Sequence, residues 1–189
     1  MKLVILDRDG TLNVPPAGDD FVATPDDWQP LPGALEAVAR INRLGWHAVV
    51  ATNQPGLGRG LFDVATLNAV HAKIHRLLSA AGGRIDAVFY CPHAPGEACS
   101  CRKPAPGLFE QICERYGLAP ADVLVVGGNA DHLLAGAAIG AQLHLLRSGA
   151  EPPGDMPQVL RTHQDLSAFA DYLAREAKSD AEPAMVQIA

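Results

Sequence analysis

Asp7 and Asp9 stand one residue apart at the end of an unbroken apolar run, Leu3-Val4-Ile5-Leu6, and Gly10 and Thr11 follow at once. A run apolar on both faces reads as a strand in the interior of a parallel sheet. Ligands and reactive groups collect just beyond the carboxyl ends of such strands. An aspartate placed there can attack phosphorus, and a second one two residues on can trade protons with the leaving group. Three further segments sit near the ends of later predicted strands. Thr52-Asn53-Gln54 carries small polar groups with donors, Arg102-Lys103 is a cationic pair beside a helix start, and Gly127-Gly128-Asn129-Ala130-Asp131 is a polar turn. Together they supply nucleophile, acid/base, hydroxyl donor and cations, the parts of a phosphoryl-transfer site. Taken singly, Asp7 to Thr11 is an ordinary Asp/Gly turn and Arg102-Lys103 a solvated charge pair. Their combination is what favours chemistry.

A second constellation precedes Arg102. Cys91-x-His93 and Cys99-x-Cys101 form two ligand pairs joined by a short connector. Zinc takes four nitrogen or sulfur ligands in a tetrahedron, and three cysteines with one histidine provide them. With all four positions taken by protein the site is expected to be closed and structural, pinning a loop that presents Arg102 and Lys103. The competing readings are four unrelated residues or a disulfide. The pairs are closer than in nucleic-acid zinc fingers, and no recognition helix lies between them. Cys113 falls on a helix among apolar residues and reads as packing. His71, His75, His132, His144 and His163 show no partner pattern and read as structural or exposed.

The elements that must position these residues alternate. Strands are predicted over 3–6, 47–51, 87–90, 123–126 and 143–146, and helices over 34–44, 63–78, 106–116, 131–139 and 166–177. Leu35, Val38, Ile41 and Leu44 make one apolar stripe, ended by Gly45, and Leu67, Val70, Ile74, Leu77 and Leu78 make another. This alternation predicts an α/β fold with a doubly wound parallel sheet. Residues 1–178 are expected to form one domain and 179–189 a fraying tail.

The chain has 189 residues, 15 Lys plus Arg against 21 Asp plus Glu, and a net charge of −6. That balance argues against a nucleic-acid or membrane-surface binder, whose footprint is basic. No apolar stretch approaches transmembrane length and no signal-peptide pattern opens the chain, so a cytoplasmic protein is expected.

Through Asp7-x-Asp9-Gly10-Thr11, Thr52 and Lys103 in order, the chain resembles the haloacid dehalogenase superfamily of phosphatases. Through Asp7 to Asn13, Thr52-Asn53-Gln54 and Cys91-Pro92-His93 with Cys99-x-Cys101-Arg102-Lys103-Pro104, it is similar to the group that holds heptose-bisphosphate and histidinol-phosphate phosphatases. The resemblance implies a HAD-like Rossmannoid fold with a zinc-bound loop and a catalytic magnesium ion. It implies that Asp7 becomes an aspartyl-phosphate, that Asp9 is acid and then base, and that Thr52 and Lys103 hold the phosphoryl group. Asn53, Gln54 and Arg102 would contact the substrate, Arg102 by forked recognition of a second phosphate. Heptose 1,7-bisphosphate, cleaved at the 7-phosphate, is the implied substrate and histidinol phosphate the alternative. Only a loop fits between 13 and 31, and one helix and one strand fill most of 54–91, so the protein should be capless. It is expected to act on a small phosphorylated sugar as a monomer or weak oligomer.

One stretch departs from the pattern. The superfamily's fourth strand delivers carboxylates to magnesium, and here Gly128 and His132 occupy the two acidic positions. Asp7 and the Asp9 carbonyl remain as ligands, and Asn129 or Asp131 are candidates for the missing oxygen. Three explanations stay open: a rebuilt metal site, a weakly active or inactive sugar-phosphate binder, and an accidental alteration.

Overall fold

β1 (Lys2–Leu6) is fully buried from Leu3 to Leu6, and the sheet grows from it in both directions. It pairs in parallel with β2 (Trp46–Asn53) on one side and β4 (Val123–Gly127) on the other. The computed structural model describes residues 1–15, 21–147 and 161–181, apart from the side chains of 180 and 181. Beyond β2 lies β3 (Ala87–Cys91), and beyond β4 lie β5 (Gln142–Leu146) and β6 (Arg161–His163), giving the order β3-β2-β1-β4-β5-β6 with every pair parallel. Strand order reverses at β1, so the crevice beyond β1 and β4 is the place where this architecture receives a ligand.

Alternation along β1 sends Val4 and Leu6 to one face and Leu3 and Ile5 to the other. The first face packs on α1 (Ala34–Arg43), α3 (Val64–Ala80) and α6 (Leu166–Ala181) through Val38, Ile41, Val70, Ile74, Phe169 and Leu173. The second packs on α4 (Gly107–Tyr116) and α5 (Ala130–Ile139) through Leu108, Phe109, Ile112 and Leu133. Helices on both faces make the sheet doubly wound, as its apolar strands require. Each buried Leu, Ile or Phe contributes roughly 1.5–3 kcal/mol.

Differences from the sequence reading are local. A short α2 (Pro55–Gly58), a 3-10 turn at Pro120–Asp122 and the edge strand β6 were not expected. α6 continues to Ala181, past the predicted end at 177 and into the expected tail, whose remainder at 182–189 lies outside the described residues. Among the described residues no cap domain interrupts the fold, since turns and isolated bridges join β1 to α1, and α2 and α3 join β2 to β3. No described helix is long and apolar enough to cross a membrane.

Candidate active site

The sheet registers set the site. Asp7 N donates to Val126 O at 3.2 Å, which carries the β1–β4 pairing one residue beyond Leu6 and lays Asp7 beside Gly127. A Cβ on Gly127 would come within 3.3 Å of Asp7 Cβ and 3.1 Å of the His132 ring, so the missing side chain is what lets these groups converge. Gly10, at φ +77°, turns the chain sharply behind Asp9 and donates its N–H to Asn13 O at 2.9 Å.

Asp7 is 4% exposed. Its Oδ1 accepts from Lys103 Nζ at 2.8 Å and from the Arg8 N–H at 2.8 Å. Burial alone would raise its pKa, but the Lys103 ammonium and these hydrogen bonds outweigh burial and hold the carboxyl below 3.8. Lys103 is equally buried and directs its other donors at Ala51 O, 2.9 Å, and His132 Nδ1, 3.2 Å. Burial, and then the Lys103 charge, push His132 down to about 3, so its ring is neutral at ordinary pH. With Nδ1 accepting from Lys103, the ring proton sits on Nε2, which faces Ile5 O at 3.4 Å. His132, read from sequence as having no partner pattern, is fully buried behind the cavity and supports the Lys103 ammonium from within. No spacing rule links it to Lys103, since the fold alone brings α5 beneath the lysine.

A cavity of ≈ 170 Å³ opens over this ion pair, lined by Asp7, Asp9, Thr52, Asn53, Pro55, Arg102, Lys103, Asn129 and Asp131. Thr52 and Lys103 thus share one cavity with Asp7. The Asn53 amide grips the Lys103 backbone, donating to its carbonyl and accepting from its N–H, both at 3.0 Å. Gln54 is fully buried and not among the lining residues. It donates to Thr52 Oγ1 at 2.9 Å and so orients a pocket hydroxyl, in place of the substrate contact expected of it. Arg102 lines the cavity with Nη1 3.4 Å from His93 O.

Asp9, also on the cavity wall, accepts from the Arg8 side chain and from Asn13 Nδ2. Neither Arg8 nor Asn13 was singled out for a role in the site by the sequence reading. Asp7, Asp9, Asn129 and Asp131 line one cavity with oxygen donors of the kind magnesium prefers, and Asn129 Oδ1 also accepts from the Asp131 N–H at 2.8 Å as the cap of α5. A side chain at Gly128 would start 3.1 Å from Leu146 O, between that carbonyl and the turn at Gly10.

The four soft ligands also converge. Cys91 Sγ lies 3.4 Å from His93 Nδ1, 3.8 Å from Cys99 Sγ and 3.1 Å from Cys101 Sγ, and all four donor atoms fall within 4.8 Å of one another. A zinc tetrahedron with bonds of about 2.3 Å to sulfur has edges of about 3.8 Å. The cluster can therefore bind a metal, and all its cysteines are free of disulfides. Burial, with the neighbouring Cys101 thiol, pushes Cys91 up to about 12. The β2–β3 register, which sets Asn53 opposite Cys91, ties this loop to the pocket.

Fold and site together define a hydrolase of the haloacid dehalogenase-like family, and the chain belongs to it, matching the family over residues 17–140. Its similarity extends over nearly the whole length of narrower relatives. It is 47% identical over 181 residues to D-glycero-beta-D-manno-heptose-1,7-bisphosphate 7-phosphatase of Bordetella bronchiseptica, covering 94% of this chain and 100% of that one. The protein of the same description from Pseudomonas aeruginosa is 43% identical over 178 residues, 91% and 97% of the two chains. The crystal structure of the B. bronchiseptica D,D-heptose 1,7-bisphosphate phosphatase, a complex with magnesium and phosphate, superposes with a TM-score of 0.88 over 93% of this chain and 99% of that one, at 47% identity.

Proposed function

We propose that the protein is a magnesium-dependent phosphomonoesterase that removes the 7-phosphate of D-glycero-D-manno-heptose 1,7-bisphosphate. The observation that carries the reading is Asp7, buried against Lys103 at 2.8 Å, on one cavity wall with Thr52 and Asp9. Asp7 Oδ2, the oxygen outside the hydrogen bonds from Lys103 and Arg8, attacks phosphorus. As that bond forms the sugar oxygen leaves, taking a proton from the Asp9 carboxyl. Asp9, now a carboxylate, removes a proton from water as the water oxygen attacks the aspartyl-phosphate, and Asp7 is released with inorganic phosphate. Thr52 and Lys103 hold the phosphoryl oxygens, and Arg102 holds the second phosphate of the substrate.

Magnesium would be held by Asp7, the Asp9 carbonyl, Asp131 and Asn129, and would supply charge neutralisation between nucleophile and phosphate. Zinc on Cys91, His93, Cys99 and Cys101 would fix the loop that carries Arg102 and Lys103. Cysteines held outside disulfides suit a reducing compartment, which supports a cytoplasmic location.

Phosphate release from heptose bisphosphate, with and without magnesium, tests the reading. Turnover is expected with magnesium and not in Asp7→Asn; activity that survives this substitution overturns the nucleophile. A second reading, a sugar-phosphate binder with little turnover, draws on Gly128 and His132 at positions where the superfamily places carboxylates. It predicts thermal stabilisation by the bisphosphate without phosphate release, and a large gain in rate on Gly128→Asp.

A further inference from the structure

Arg8 lies between the two aspartates in sequence but turns the opposite way. Asp7 meets Lys103 on the α5 face of the sheet, whereas the Arg8 guanidinium folds back onto Asp9. The Arg8 side chain is fully buried. Its Nε is 3.2 Å from both Asp9 oxygens and its Nη2 is 3.0 Å from Oδ2. Asn13, also fully buried, adds a donor 3.0 Å from Oδ1 and is itself tethered to Val14 O. Asp9 so held still lines the cavity.

Stability gives a poor account of this arrangement. Desolvating a guanidinium is unfavourable, and its partner Asp9, still 24% exposed, returns only part of that cost. Arg8 Nη1 is moreover buried without a partner among the described residues. What the contact does provide is orientation. A planar fork meeting both oxygens fixes the rotation of a carboxyl group, which a point charge does not.

We infer that Arg8 is a positioning residue whose fork, with Asn13, holds the Asp9 carboxyl in the rotation from which it protonates the leaving oxygen and later takes a proton from water. The inference rests on the acid/base role proposed for Asp9, and the test separates the two. An alkoxide leaving group needs a proton, and p-nitrophenolate does not. Because kcat/KM reports the steps up to transfer onto Asp7, it is measured for heptose bisphosphate and for p-nitrophenyl phosphate with wild type, Asp9→Asn, Arg8→Met and Arg8→Lys.

Arg8→Met is expected to lose about 100-fold on the sugar phosphate and less than about threefold on the aryl phosphate. Arg8→Lys, which keeps the charge but not the fork, is expected to show the same contrast at smaller amplitude and serves if the methionine variant does not fold. Equal losses on both substrates, or no loss in either variant, overturn the role of Arg8. Asp9→Asn is expected to show the widest contrast. If it loses equally on both substrates, the acid/base reading itself fails.

Discussion

Replacing Lys103 by methionine keeps most of the side chain's length while removing its charge and its donors to Asp7, Ala51 O and His132. At 2.8 Å, two unit charges attract by roughly 6 kcal/mol at an effective dielectric of about 20. Desolvation consumes part of this, yet deleting one partner strands the other, which is destabilising by about 3–5 kcal/mol. The variant can escape by protonating Asp7, and that energy corresponds to a rise of about two to four pKa units. In the wild type the folded pKa lies below the 3.8 of the unfolded chain, so this group's stabilisation is present above 3.8 and is lost as pH falls through the folded value. In the variant the folded pKa lies above 3.8, so the penalty is absent below 3.8 and grows as pH rises to the new value. Urea unfolding of both proteins therefore should show a gap of about 3–5 kcal/mol near pH 7.5 that shrinks markedly near pH 4.5. Turnover should fall by at least about 10³. A gap below about 1 kcal/mol near pH 7.5, the range of a surface pair, or one that does not change with pH, would refute the reasoning.

Other consequences can be measured directly. The purified protein should hold one zinc ion per chain, and Cys99→Ser should lose it, lower the melting temperature and weaken binding of the bisphosphate more than of a monophosphate; metal analysis and calorimetry check this. His144, against His163 at 3.0 Å, is held down to about 4 first by burial and then by its neighbour's charge. Buried neutral, it stabilises fully above 6.5 and loses that contribution as pH falls towards 4. His144→Phe should therefore flatten the decline in stability over this window by about 3 kcal/mol, and an unchanged slope in urea melts would count against it. A methyl at Gly127 presses on both Asp7 and His132. Gly127→Ala should lower kcat about tenfold, because small displacements of a nucleophile are felt steeply in rate, and should cost about 1–3 kcal/mol of stability through overpacking, read as a lowered melting temperature.

Apolar runs and strand-end polar residues made β1 to β5, the main helices and the meeting of Asp7, Thr52 and Lys103 legible in the sequence. β6 is three residues, Arg161-Thr162-His163, whose strand character comes only from pairing with β5. α2 reads Pro-Gly-Leu-Gly, a composition poor in helix formers, and it packs so closely on the loop after β3 that a Cβ on Gly58 would meet Ala94 N at 2.4 Å. The supporting residues of the site were harder still. Gln54, adjacent to two pocket residues, looked like a substrate contact because sequence does not say which side chain turns inward. Arg8 acts through a side chain folding back on its neighbour and leaves no spacing signature, whereas spacing marked His132 only as a missing carboxylate and said nothing of its contact with Lys103. Asp7 and Asp9 each have a cation of their own, Lys103 at 2.8 Å and Arg8 at 3.0 Å, and that pairing emerges only in three dimensions.

Asp7 is the side chain expected to take the phosphoryl group. Acid-quenching the enzyme during turnover of heptose bisphosphate and mapping the peptides by mass spectrometry tests it most directly. A phosphoryl group is expected on Asp7, formed and discharged fast enough to carry turnover and missing in Asp7→Asn. Full turnover with no phosphorylated Asp7, or with the phosphoryl group on another side chain, would contradict it.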